Sequence, residues 1–277
     1  MRHQSILEYA HFRWFKAAIW LSALAGGVYL WHDPVLKPYG GTWLGYALGT
    51  LGALLILWLL WFGVRKRRYA SRMGTAQGWL SAHVYLGTAL LVVATLHTGF
   101  ELGWNVHTLA YVLMVATVAS GFYGVYVYFT VPRLMTANLG EETLDAMLLK
   151  VADLDREIRE KALSLPDPIL RVVHASLDNT RLGGSLARIV TGRDRACPTA
   201  AAVRELPEIG KRLSGEAAKL NHEVYTLLLQ KNELLARARR EVRFKARLDL
   251  WLYFHVPLAI ALLGALSAHV ISVFLYW

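Results

Sequence analysis

Apolar residues along this chain collect into five runs, at approximately 14–31, 43–64, 78–100, 106–131 and 248–276. Each run is close to the about 20 residues that a helix needs to cross roughly 30 Å of hydrocarbon. Lipid offers no hydrogen-bond partner to a bare backbone, so each run predicts a transmembrane helix. Arg13 and Lys16 precede the first run as they would a cleavable leader. No small-x-small cleavage site follows, and Trp31-His32-Asp33-Pro34 reads as an interfacial exit, so a retained first span is expected.

Between the fourth and fifth runs the pattern changes to helical periodicity with a charged opposite face. Leu144, Met147, Leu148, Val151, Leu154 and Ile158 mark one amphipathic helix within 138–164, and Leu220, Val224, Leu227, Leu228, Leu234 and Leu235 mark a second within 214–240. These predict an antiparallel pair. Asn138 with Glu141 three residues on predicts the N-cap of the first, and Pro166-Asp167-Pro168 its end. Gly210 to Gly215 precede the second, which meets no breaker before Trp251 and is expected to run on into the last span. Residues 167–212 predict short helices and loops. The fold class expected is therefore all-α, a polytopic bundle of about five transmembrane helices. Residues 1–131 carry spans one to four, 132–247 a cytoplasmic helical insertion, and 248–277 span five.

Charge orients this arrangement. Arg65, Lys66, Arg67, Arg68 and Arg72 separate spans two and three, whereas 32–42 and 101–105 carry Lys37 as their only base. By the positive-inside rule the N-terminus is cytoplasmic, Trp277 lies outside, and spans three and five run in the same direction, as in a multi-pass protein of a bacterial-type inner membrane. The mean hydropathy of +0.34 and 55% hydrophobic content agree with this class. The net charge of +10 does not indicate nucleic acid, because 21 of the 30 Lys and Arg share residues 132–247 with 16 of the 20 Asp and Glu. The remaining excess is topological and suits anionic lipid or an acidic partner. One cysteine, Cys197, excludes an intrachain disulfide, an Fe–S cluster and covalent c-type haem. Beside Pro198 in a polar stretch, it is expected to be passive.

Chemistry enters with four histidines inside the apolar runs. His83 and His97 lie fourteen residues apart in one run, His255 and His269 fourteen apart in another. That interval returns the second side chain to within roughly 40° of the first, roughly 21 Å further along the axis, so each helix shows two imidazoles on one face at two depths. Ionisable groups at membrane depth are costly and normally face a bundle interior. Parallel spans set His83 level with His255 and His97 level with His269, two pairs that can each clamp an iron from both sides of a haem. Polar packing between helices and a proton path are the plainer readings, but the repeated interval on two separate spans disfavours both. Zinc or copper shared along one helix is excluded by distance. Gly87, Gly121, Gly124 and Gly264 suit either close approach of a flat macrocycle or helix packing. Pro257 is expected to bend the last span. Trp43, Trp58, Trp61, Trp79, Trp104 and Trp251 lie near span ends as interfacial anchors. His174 and His222 have no ligand spacing and are expected at the surface.

On these residues the chain resembles the membrane di-haem b-type cytochromes, namely the transmembrane core of ferric reductases and NADPH oxidases and the cytochrome b of bc complexes. The resemblance covers spans three to five, carried by Trp79-Leu80-Ser81-Ala82-His83 and Trp251-Leu252-Tyr253-Phe254-His255 with His97 and His269. It implies two haems b with those four histidines as axial ligands, and outer-sphere electron transfer as an oxidoreductase subunit. No Gly-x-Gly-x-x-Gly fingerprint is present, nor a quinol-site signature of the bc cytochromes. The electron donor or acceptor is then a quinone, a separate iron–sulfur, flavin or multihaem cytochrome subunit, or both. Arg68, Arg72, Lys245 and Arg247, at the cytoplasmic ends, are candidates to balance haem propionates or steer an acidic partner. Two other classes remain: a haem-free anchored scaffold whose cytoplasmic helices dock a partner, and an ion or proton carrier titrating through the histidines. The almost wholly apolar stretch between His83 and His97 disfavours the carrier.

The orientation is testable by thiol labelling. A cysteine introduced near Arg67 should resist an impermeant reagent in intact cells and react after lysis, whereas labelling in intact cells contradicts five spans with a cytoplasmic N-terminus.

Overall fold

In the computed structural model of the chain, residues 6–32, 40–67, 74–140, 142–185, 189 and 197–275 are described. Among these residues a short 3-10 turn at Ile6–Glu8 is followed by eight α-helices: α1 (Tyr9–Trp31), α2 (Trp43–Arg67), α3 (Ala76–Thr98), α4 (Val106–Leu139), α5 (Leu144–Ala162), α6 (Asp167–Asn179), α7 (Pro198–Gly210) and α8 (Gly215–Leu275). No strand occurs among the described residues. Four of these helices, α2, α3, α4 and α8, carry stretches long and apolar enough to cross a membrane. At most 28% of any such stretch is buried within the protein, so the remaining apolar surface calls for a nonaqueous surrounding. This is the character of a multi-pass membrane protein.

The expected first span is a helix but is not one of these four. Ala10, His11 and Phe12 have positive φ, so regular helix begins only at Arg13, and its apolar character is diluted by Arg13, Lys16 and several small residues. Other expectations shift at the ends. α4 does not stop near 131 but continues through Pro132 to Leu139, with Gly140 in the left-handed conformation that commonly ends a helix. Asn138 is therefore in the last turn of α4 and caps nothing. Its side chain instead donates to the Arg237 carbonyl at 2.9 Å and accepts from Arg240 Nε at 2.8 Å. The cap of α5 is Thr143, whose Oγ1 accepts from the Ala146 amide at 3.1 Å. Likewise α5 ends at Ala162, and Pro166 to Pro168 opens α6, where proline's missing amide is tolerated. α8 is one helix of 61 residues, continuous through Pro257.

The chain forms two compact units, one of residues 1–126 with 251–277 and one of residues 127–250, whose boundaries fall inside α4 and α8. In the first, Ala25, Leu44, Leu48 and Val93 join α1, α2 and α3, and Ile56, Leu90, Met114 and Leu262 join α2, α3, α4 and α8. Polar caps fix the helix starts here: Thr42 Oγ1 accepts from Gly45 N at 3.0 Å, and Thr75 Oγ1 from Gly78 N at 3.1 Å.

In the second unit, Ile158, Ile169, Val173, Ala202, Leu206, Val224 and Leu228 form a core shared by α5, α6, α7 and the first part of α8. Asp155 meets Lys231 at 2.6 Å and Lys161 meets Glu223 at 2.7 Å, so α5 and α8 are antiparallel as their periodicity predicts. Lys231 is only 1% exposed and also donates to the Ser176 carbonyl at 2.9 Å. A buried ammonium so paired fixes the register of three helices, because leaving it unpaired is costly. At the surface, the hydrogen bond from Lys161 holds the Glu223 carboxyl below its ordinary range, and Glu223 raises the lysine in turn.

Candidate functional site

All four intramembrane histidines belong to the first unit, His83 and His97 on α3 and His255 and His269 on α8. The ring centroids of His83 and His255 are 6.4 Å apart at an interplanar angle of 68°, and those of His97 and His269 are 5.9 Å apart at 87°. Lower number faces lower number at both levels, so these parts of α3 and α8 run in the same direction. One metal ion bonded at about 2 Å to a nitrogen of each imidazole would separate two ring centroids by roughly 6 Å, which both pairs match. Among the described residues no three His, Cys, Asp or Glu side chains converge in a manner suited to a metal ion. The site offers imidazoles two at a time, a donor set that suits a metal already held by four other ligands.

The hydrogen bonds at Nδ1 decide what the rings can do. His97 Nδ1 lies 2.7 Å from the Gly45 carbonyl oxygen, which can only accept, so Nδ1 carries the proton and Nε2 keeps its lone pair. His255 Nδ1 lies 2.7 Å from Ser120 Oγ. The Ser120 hydroxyl hydrogen is given to the Thr117 carbonyl at 2.7 Å, so Oγ accepts from His255 and again Nε2 is left basic. Metal-bound histidines are held this way, with the far N–H given to a carbonyl or hydroxyl. His83 differs: its Nδ1 is buried and makes no hydrogen bond of good geometry, its backbone interaction being with Leu59. His269 meets His107 through their Nδ1 atoms, with the rings perpendicular and 4.5 Å apart.

Backbone without Cβ makes room for these rings. A Cβ on Gly49 would stand 2.6 Å from His97 Cε1, closer than real contacts allow. Gly121 faces His255, where a Cβ would lie 3.7 Å from Cε1. Gly124 seats the indole of Trp251, which leaves only 2.1 Å for a Cβ, so this glycine serves packing. Trp251 in turn donates from Nε1 to the Ser120 carbonyl at 2.9 Å and lies 5.5 Å from the His255 ring, a more specific placement than interfacial anchoring. Gly87 has no atom within 4 Å of its Cβ direction and lines a small, mostly apolar cavity bounded by His83, His255, Gly121, Leu60 and Phe122. Gly264 also has nothing within 4 Å.

Of the basic candidates, Lys245 is exposed and Arg247 half-buried, both in the second unit, and Arg68 and Arg72 lie outside the described residues. His174 is at the surface beside Asp178. Cys197 is buried rather than set in an open loop and receives a hydrogen bond from Arg239 at 3.2 Å. His107, Ser120, Gly45 and Gly49 are missed by reading periodicity, because their roles depend on which helix lies opposite. A fifth imidazole at the edge of an apolar run was the signal for His107. No family model, curated protein or solved structure matches the chain.

The glycine contacts give a direct test. Gly49→Ala should push the His97 ring off the Gly45 carbonyl and shift its ¹⁵Nδ1 resonance in solid-state NMR of bilayer-embedded protein. Gly52→Ala, whose Cβ would stand 3.8 Å from Leu90, should leave that resonance in place. An unmoved His97 signal in Gly49→Ala contradicts the geometry.

Proposed function

We propose that the protein is a di-haem b-type cytochrome that carries electrons across a membrane. The observation that carries this reading is the pairing of His83 with His255 at 6.4 Å and His97 with His269 at 5.9 Å, two sites in one helix bundle each offering two imidazoles. His83 and His255 would hold an inner haem b, His97 and His269 an outer one, and such a group supplies one-electron chemistry at iron. Two protein ligands per iron leave no position for a small molecule, so the function is electron transfer rather than catalysis at the metal.

The chain's own contribution is positional. Gly45 and Ser120 orient one ring of each pair, Trp251 packs beside His255, and Ile56, Leu90, Met114 and Leu262 fill the interior with apolar bulk that keeps water away. The reading includes α1 as a fifth, first span, a cytoplasmic N-terminus, and residues 132–247 as a cytoplasmic insertion in a bacterial-type inner membrane. The insertion's exposed helical faces are the docking platform for a redox partner, whether an iron–sulfur, flavin or multihaem cytochrome subunit, and a quinone is a further candidate at the membrane. Arg68, Arg72, Lys245 and Arg247 are proposed to meet haem propionates or that partner.

Replacement of the histidines tests the assignment. His97→Ala or His269→Ala should lower haem content towards half while the remaining haem stays low-spin, and His83→Ala or His255→Ala should remove the other half. Full occupancy of two low-spin haems in any one of the four variants would falsify the pairing.

A further inference from the structure

Three of the four proposed ligands have a partner at Nδ1, and the third partner is a histidine that neither the sequence pattern nor the pairing accounts for. Gly45 serves His97, Ser120 serves His255, and His107 stands in the corresponding place for His269. His107 occupies the first turn of α4, which Asn105 fixes by accepting from the Thr108 amide at 3.0 Å, while Thr108 Oγ1 accepts from the Gly103 amide at 3.1 Å. It is exposed where His269 is half-buried. Its second ring nitrogen can therefore carry its hydrogen toward water, leaving the Nδ1 lone pair for His269.

We propose that His107 is a positioning residue of the outer site, accepting a hydrogen bond from His269 Nδ1–H and so holding the His269 ring with Nε2 as the ligand nitrogen. This rests on the two-haem reading. The opposite polarity, with His107 donating, would put the hydrogen of His269 on Nε2 and disable it as a ligand. An acceptor at Nδ1 makes an imidazole a more electron-rich ligand, and that favours the oxidised iron. Both outer ligands then have such an acceptor, whereas on the inner side His83 has none of good geometry. His107 thus acts on the outer haem's potential as well as its retention, an effect that a residue merely filling space would not have.

The test compares wild type with His107→Leu and His107→Asn in native membranes, reading haem retention and redox titration of the outer haem, identified as the one lost in His97→Ala. Asparagine sets a carbonyl oxygen near the position of Nδ1, and leucine removes the acceptor. His107→Leu should weaken retention of the outer haem by about tenfold, as loss of such second partners typically does, and move its potential positive. His107→Asn should restore both toward wild type, and the inner haem, unchanged throughout, reports intact folding. If leucine disturbs the bundle, seen as loss of the inner haem too, His107→Ala is read in its place. Wild-type retention and potential in the variant lacking the acceptor, or asparagine behaving like leucine, overturns the role of His107 while leaving the two-haem reading standing. A wild-type protein without haem overturns both.

Discussion

A histidine ring inside hydrocarbon has two polar nitrogens that water cannot serve, and the first unit is organised around serving them. Leaving a polar group unpaired at this depth costs several kcal/mol, on the order of what one mutation can take from a whole domain. Four such rings in one bundle therefore call for partners. Neighbouring helices supply three of them, the Gly45 carbonyl on α2 and the Ser120 hydroxyl and His107 on α4, while His83 Nδ1 makes no hydrogen bond of good geometry. The bonds to Gly45 and Ser120 leave one basic Nε2 in each facing pair, and that is the state in which an imidazole binds a metal.

The packing is set by that requirement. His97 reaches the Gly45 carbonyl only because Gly49, one turn further on α2, has no side chain. Ser120 carries three bonds, accepting at Oγ from His255, giving its hydroxyl hydrogen to Thr117, and accepting at its carbonyl from Trp251. Trp251 fits because Gly124 is bare beneath it. The glycines of α2 and α4 therefore trade side-chain bulk for placement of rings. The second unit solves a different problem: α5, α6, α7 and the first part of α8 bury a common apolar core, with Lys231 registered between Asp155 and Ser176.

Much of this architecture was legible in the chain. Runs of apolar residues announced the long helices, and the antiparallel α5 and α8 pair followed from periodicity because each buries one stripe. The two His levels followed from a fourteen-residue interval and from the direction of the helices that charge implies. Helix ends were less legible where two signals competed. Asn138 has the chemistry of a cap, but the sequence from Pro132 to Leu139 sustains a helix, and Gly140 rather than Asn138 stops it. The partners of the imidazoles were not legible, because Ser120 and Gly45 are ordinary residues until tertiary packing brings a ring nitrogen within 2.7 Å. His107 was visible as a residue type but not as a neighbour of His269, from which it is 162 positions distant.

The facing imidazoles are proposed to hold iron in two haems. Purification of the intact protein in mild detergent, followed by a reduced-minus-oxidised spectrum and haem quantitation against protein, tests this proposal most directly. The expected result is the sharp α-band of low-spin b haem and two haems per chain. A colourless protein without a Soret band, or a single haem per chain after expression with ample haem supply, contradicts it.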